Sequence, residues 1–84
     1  MKEFNGHRSW NAWNVSLFIC NERRFYDVVN ATFQRTLLRT ENKKKAINAA
    51  IKRFMSFYGY QKTPDGAVFN HLSVKLAICG LYDD

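Results

Sequence analysis

The chain is poor in the residues that interrupt or cross-link a fold. One proline and four glycines stand in 84 residues. No linker, repeat or low-complexity tract marks a boundary, so a single helical domain spanning residues 1–84 is expected. No apolar run approaches the ~20 residues needed to cross a bilayer, and Met1 to Trp10 lack the apolar segment of a secretion signal. A soluble, cytoplasmic protein without a membrane partner is therefore expected. The two cysteines, Cys20 and Cys79, sit among apolar neighbours, which favours reduced, buried thiols over a structural bridge.

Reactive chemistry is equally scarce. The two histidines are His7 and His71. The sequence holds no glycine-rich phosphate loop, nucleophile elbow or paired-carboxylate motif. Cys20 and His71 would form a thiolate pair only if packing joined them, and burial in helical stretches is the commoner reason for such residues. Cys20, Cys79, His7 and His71 make up a Cys2His2 donor set, but without the close C-x2-C or H-x3-H spacing that lets consecutive ligands meet one ion. No enzymatic activity, cofactor or metal is expected.

What the chain does have is apolar surface: 46% hydrophobic residues and 15% aromatic, a composition that belongs to a folded globule. A domain of this size buries only about 60–65% of its unfolded surface, so a deep substrate cavity would compete with the core, and aromatic burial must supply much of the stability.

The apolar spacing predicts an all-α fold, a compact bundle of four or five short helices. Ser9 is a good N-cap for a first helix running to about Cys20 or Asn21. Trp10, Trp13, Asn14 and Leu17 share one face of it, while Ala12, Val15 and Ile19 make the opposite face apolar too. Such a helix is either central to the core or covered by a partner. Asn11, Asn14 and Asn21 are unusual in so apolar a segment; a buried Asn needs hydrogen-bond partners, so Asn14 is expected to tie this helix to a neighbouring helix end.

A second helix is expected over Glu22 to Leu38 with Tyr26, Val29, Phe33 and Leu37 inward, and with either continuity or a bend near Asn21. Thr40-Glu41-Asn42 reads as the connection. The third helix, Lys43 to Tyr58, turns Ile47, Ala50, Ile51, Phe54 and Tyr58 to the core and Lys45, Asn48, Lys52 and Ser56 outward, and Gly59 stops it. Thr63-Pro64-Asp65 reads as a helix start. Beyond it, one stripe of Val68, Leu72, Leu76 and Cys79 and another of Val74, Ile78 and Leu81 call for a kink near Ser73 or a second start capped by it.

The charge is uneven. The formal net charge is +6, and Arg35, Arg39, Lys43, Lys44, Lys45, Lys52 and Arg53 against Glu41 alone account for all of it. Three lysines at a helix start oppose the helix dipole at a cost of a few tenths of a kcal/mol each, roughly, when solvated. Arg39, Lys43, Lys44, Lys45, Lys52 and Arg53 are therefore candidate contacts, with Tyr58 and Tyr60 beyond them as aromatic anchors or stacking platforms alongside Phe57. The competing reading of the basic run is a solvated face that keeps an aromatic-rich protein soluble.

The run Asn5-Gly6-His7-Arg8-Ser9-Trp10-Asn11-Ala12-Trp13-Asn14-Val15-Ser16-Leu17-Phe18-Ile19-Cys20-Asn21-Glu22, followed by Tyr26, resembles a family of small bacteriophage-encoded proteins of uncharacterised function. Their shared opening is a Trp, a polar stretch, Thr-Trp-Asn-Val-x-Leu-Trp, an Asn-Asp/Glu pair and a Tyr. Ala12 replaces the usual Thr and Phe18 the second Trp. The resemblance covers about the first third of the chain, with a weaker one from Ser73-Val74 to Ile78. It implies a phage or mobile-element origin, and it carries no catalytic residues. Small phage proteins of this kind act by occupying a surface of a host assembly, as anti-CRISPR and other counter-defence inhibitors do. The leading expectation is such an inhibitor of a host protein complex; the alternative is a nucleic-acid-binding protein using segment 35–53. Self-association is a third reading, with a monomer preferred.

Overall fold

The computed structural model describes residues 9–82, so His7 and the first residues of the phage-like run lie outside the described residues. Four helices follow one another: α1 (Trp10–Asn21), α2 (Arg23–Thr40), α3 (Lys43–Tyr58) and α4 (His71–Tyr82). α2 packs most extensively on α3, and α1 on α4; α3 also meets α4, and α1 meets α2. The fold is all-α, as the apolar spacing predicts, with an isolated bridge between Lys62 and Val68 in the loop before α4.

α1 starts where Ser9 caps it, the Ser9 hydroxyl accepting the Ala12 N–H at 3.2 Å. Of its two apolar faces, the one bearing Ala12, Val15 and Ile19 enters the core, while Trp10 and Leu17 stay partly exposed. Glu22 sits in an extended conformation between α1 and α2, so the chain bends there instead of continuing as one helix. α2 ends at Thr40 and is capped by Glu41, whose N–H donates to the Leu37 carbonyl and whose left-handed backbone (φ 51) turns the chain out of the helix. Asn42 caps α3 through a 3.0 Å bond from the Lys45 N–H. Gly59 ends α3, and no larger residue fits there: an added Cβ would stand 2.5 Å from the Met55 carbonyl oxygen.

The core gathers Val15, Ile19, Val29, Phe54, Phe69, Val74 and Ile78, each 2% exposed or less. Each such side chain contributes about 1.5–3 kcal/mol relative to leaving it in water. Phe25, Phe54, Tyr58 and Phe69 form an aromatic centre, with Phe25 edge-on to the other three at 4.7 to 5.5 Å between centroids. Phe25 therefore takes the inward place expected of Tyr26, which is exposed; Val29 and Phe33 face in as predicted, and Leu37 packs against the core from its edge. Tyr82 stacks on Phe33 at 3.7 Å and donates to Asn30 Oδ1 at 2.8 Å. Burial, and then the negative charge that Tyr26 and Cys20 carry when ionised, pushes its ionisation up to about 12.

Two expectations are corrected in the loop. Thr63-Pro64-Asp65-Gly66 is a turn and not a helix start: the Gly66 N–H donates to the Thr63 carbonyl, Pro64 has the φ the second position wants, and Gly66 takes φ +94. α4 begins instead at His71, where Asn70 Oδ1 accepts from the Ser73 N–H and the Ser73 hydroxyl accepts from the Asn70 N–H. Ser73 is thus inside one unbroken helix, and Ser73, Val74, Ala77 and Ile78 face the core. The cysteines are free, but Cys20 is exposed and Cys79 only partly covered, against the expectation of two buried thiols.

A basic groove as the candidate functional site

The antiparallel pair α2 and α3 leaves a groove of about 500 Å³ between its outer faces. Helical spacing decides what lines it. On α2, Thr32, Arg35, Thr36 and Arg39 recur at three- and four-residue intervals and so share a face; on α3, Ala49, Lys52, Arg53 and Ser56 do the same. Thr32 and Thr36 are buried and Ala49 half-buried, a floor of small side chains, while Ser56 stands exposed at the edge with its hydroxyl donating to the Arg53 carbonyl at 2.8 Å. The four longer cationic side chains form the walls. Among the described residues, the ion pairs are Arg23–Asp27 (3.6 Å) and Arg24–Glu22 (3.9 Å), both at the start of α2, and no carboxylate pairs with Arg35, Arg39, Lys52 or Arg53.

That arrangement opposes folding slightly. Arg35 and Arg39 are a like-charge i,i+4 pair, which costs about 0.2–0.5 kcal/mol in a helix, and the α3 cations across the groove add to the repulsion. An anion placed in the groove adds an attraction to each of the four cations that offsets their mutual repulsion. Arg53 also lies over the exposed ring of Phe57, 5.6 Å from its centroid, so an aromatic ledge flanks the cationic wall.

Of the residues expected from sequence, the groove joins Arg39, Lys52 and Arg53. Lys43, Lys44 and Lys45 stand exposed in the first turn of α3, outside the groove lining. Tyr58 is half buried in the aromatic centre, 5.0 Å from Phe54. Tyr60 is 71% exposed and borders a second cavity, of about 360 Å³, between α3 and the beginning of α4. Arg35 opens the expected basic segment 35–53 without being one of its named contacts, and Thr32 and Ser56 were not expected as contacts; the four-residue recurrence of Arg35 and Arg39 with Thr32 and Thr36 is the signal that would have found the α2 side of the groove.

Asn11 and Asn14, the other unusual residues, serve the fold. Asn11 pairs with the backbone of Val68 through both ends of its carboxamide, at 2.8 and 3.0 Å. Asn14 donates to Asp65 Oδ2 at 2.9 Å and accepts from the Thr63 hydroxyl at 2.7 Å. α1 is therefore tied to the turn at 63–66 and the strand-like segment after it, not to a helix end as expected. Asn21 is exposed. Among the described residues no cluster of three His, Cys, Asp or Glu side chains is placed to hold a metal ion, and no helix is long and apolar enough to cross a membrane.

Fold and groove define a small all-α protein with an open cationic face. The chain belongs to a family of unknown function, DUF7249, whose model matches residues 1–84. No curated protein and no solved structure matches it significantly.

Proposed function

We propose that this chain is a non-catalytic binding protein whose α2–α3 face takes the phosphate backbone of a nucleic acid. The observation that carries this is the convergence of Arg35, Arg39, Lys52 and Arg53 on one groove with no acid beside them among the described residues. A polyanion seated there neutralises all four and releases its own counterions, which is the dominant sequence-independent source of nucleic-acid affinity. Arginine walls suit phosphate oxygens through their forked donors, and a floor of small side chains lets a backbone approach closely. The lysines at the start of α3 extend the positive surface at one end.

A second reading keeps the same face but changes the partner. A phage-derived counter-defence inhibitor, which the resemblance of the first third implies, would seat these cations against an acidic surface of a host protein complex, with exposed Phe57 and Tyr60 as anchors.

Titration of labelled duplex and single-stranded DNA at several salt concentrations separates the two. Four phosphate contacts predict a slope of log K against log salt of about −3 to −4. Arg39→Glu with Arg53→Glu should weaken binding at least about tenfold and flatten the slope by about 2, more than replacement of the three α3 lysines does. Absence of binding near physiological salt would reject the nucleic-acid reading, and the host-protein reading would then be tested by capture of a partner from bacterial lysate.

A further inference from the structure

We infer that the nucleic acid taken by the groove is single-stranded, with one unstacked base lodged in the slot between α3 and the start of α4; this rests on the groove reading above. The two cavities share one residue, Lys52, which stands on the outer ridge of α3 and lines both. A chain following the cations of the groove is thus led over α3 to the slot.

The slot has the chemistry of a base site. Ile51 and Met55 give it an apolar wall, Lys52 and Lys75 put positive charge at its rim, and the Asn48 carboxamide supplies a donor and an acceptor for a base edge. At about 360 Å³ it lies near the small end of the roughly 300–1,000 Å³ typical of ligand sites, room for one compact planar group. A flat, apolar-faced group carried on an anionic backbone matches all of these features together. A free phosphate would gain nothing from Ile51 and Met55. A base held in a duplex is already stacked and paired, and enters only if it is first drawn out of the stack.

Tyr60 supplies an independent observation. Its backbone sits at φ 64, an uncommon conformation for a residue with a side chain, and is held there by the bond from its N–H to the Phe69 carbonyl at 2.8 Å. The surrounding structure holds this conformation, yet Tyr60 is 71% exposed as a residue and its ring makes none of the ring contacts found among Phe25, Phe54, Tyr58 and Phe69. An aromatic ring held outside the core at the mouth of an apolar slot is a stacking platform.

The test uses the full chain and three labelled probes of equal length: oligothymidylate, the same backbone with abasic sites throughout, and a duplex. Tyr60→Ala should weaken oligothymidylate binding about tenfold while leaving the abasic probe within about twofold, and Tyr60→Phe should bind as the parent does. Both substitutions make the same backbone demand, so a loss seen with Ala alone is a loss of the ring. Equal effects on the two single-stranded probes, no effect on either, or duplex binding as tight as oligothymidylate would overturn the slot while leaving the groove standing. Failure of the parent chain to bind any probe would overturn both, and would turn the search to an acidic protein surface.

Discussion

Replacing Asn14 by Leu keeps most of the side-chain volume and removes only the polar clamp. Asn14 is 2% exposed and Thr63 5%, so their 2.7 Å hydrogen bond is hidden from water. Losing that bond leaves the Thr63 O–H without an acceptor, although its oxygen still accepts from the Ala67 N–H at 3.0 Å, and costs about 1–3 kcal/mol. The bond to Asp65 is charge-assisted, but Asp65 is exposed and water can replace Asn14, so it adds only about 1 kcal/mol. The sum, about 2–4 kcal/mol, is a large part of the roughly 4–12 kcal/mol expected for a chain of this length. Urea unfolding followed by tryptophan emission should show the midpoint falling by about 1–3 M at unchanged slope. A double-mutant cycle with Thr63→Val should return a coupling of about 1 kcal/mol or more, because the valine removes the stranded donor, while its loss of the acceptor for the Ala67 N–H is common to the single and double variants and cancels. An Asn14→Leu chain within about 0.5 kcal/mol of the parent, or strictly additive substitutions, would refute the clamp.

The phase of α2 is checked by a neighbouring pair: Phe25→Ala should cost about 3–5 kcal/mol and Tyr26→Ala below about 1, since only the former empties the aromatic centre, and reversed values in urea melts would mean that α2 is rotated. Tyr82 gives a pH signature. Its ionisation is raised from 10.0 to about 12 in the folded chain, so its contribution is intact below pH 10 and is lost as pH climbs through the interval up to about 12. Phenolate absorbance should therefore show one tyrosine ionising late, an anomaly that vanishes in Tyr82→Phe.

The helices were legible because their signals are local. Ser9, Gly59 and the apolar spacing of α3 predict their elements to within a residue, since a cap or a stripe is decided by neighbours in sequence. The misread places are those where a local signal had two meanings. Thr63-Pro64-Asp65 suits a helix start until Gly66 is counted, when the four residues become a turn with a left-handed end. Phe25 and Tyr26 are both apolar enough for the core, and contacts with Phe54 and Phe69, distant in sequence, decide between them. The groove was half legible. Charge identified Arg39, Lys52 and Arg53, but only the antiparallel pairing of two helices brings them opposite Arg35 and leaves Lys43, Lys44 and Lys45 aside.

The hydrogen bonds that fasten α1 to the loop span 49 to 57 residues of chain. The α2–α3 pair, by contrast, closes across a two-residue connection and is able to form early, since nearby contacts pay little loop-closure entropy. On the ribosome α1 emerges some fifty residues before its partners at Thr63, Asp65 and Val68, and before α4, which packs on it. For that interval a helix apolar on two faces waits without its counterpart, and its uncovered surface is open to unwanted association until α4 has followed.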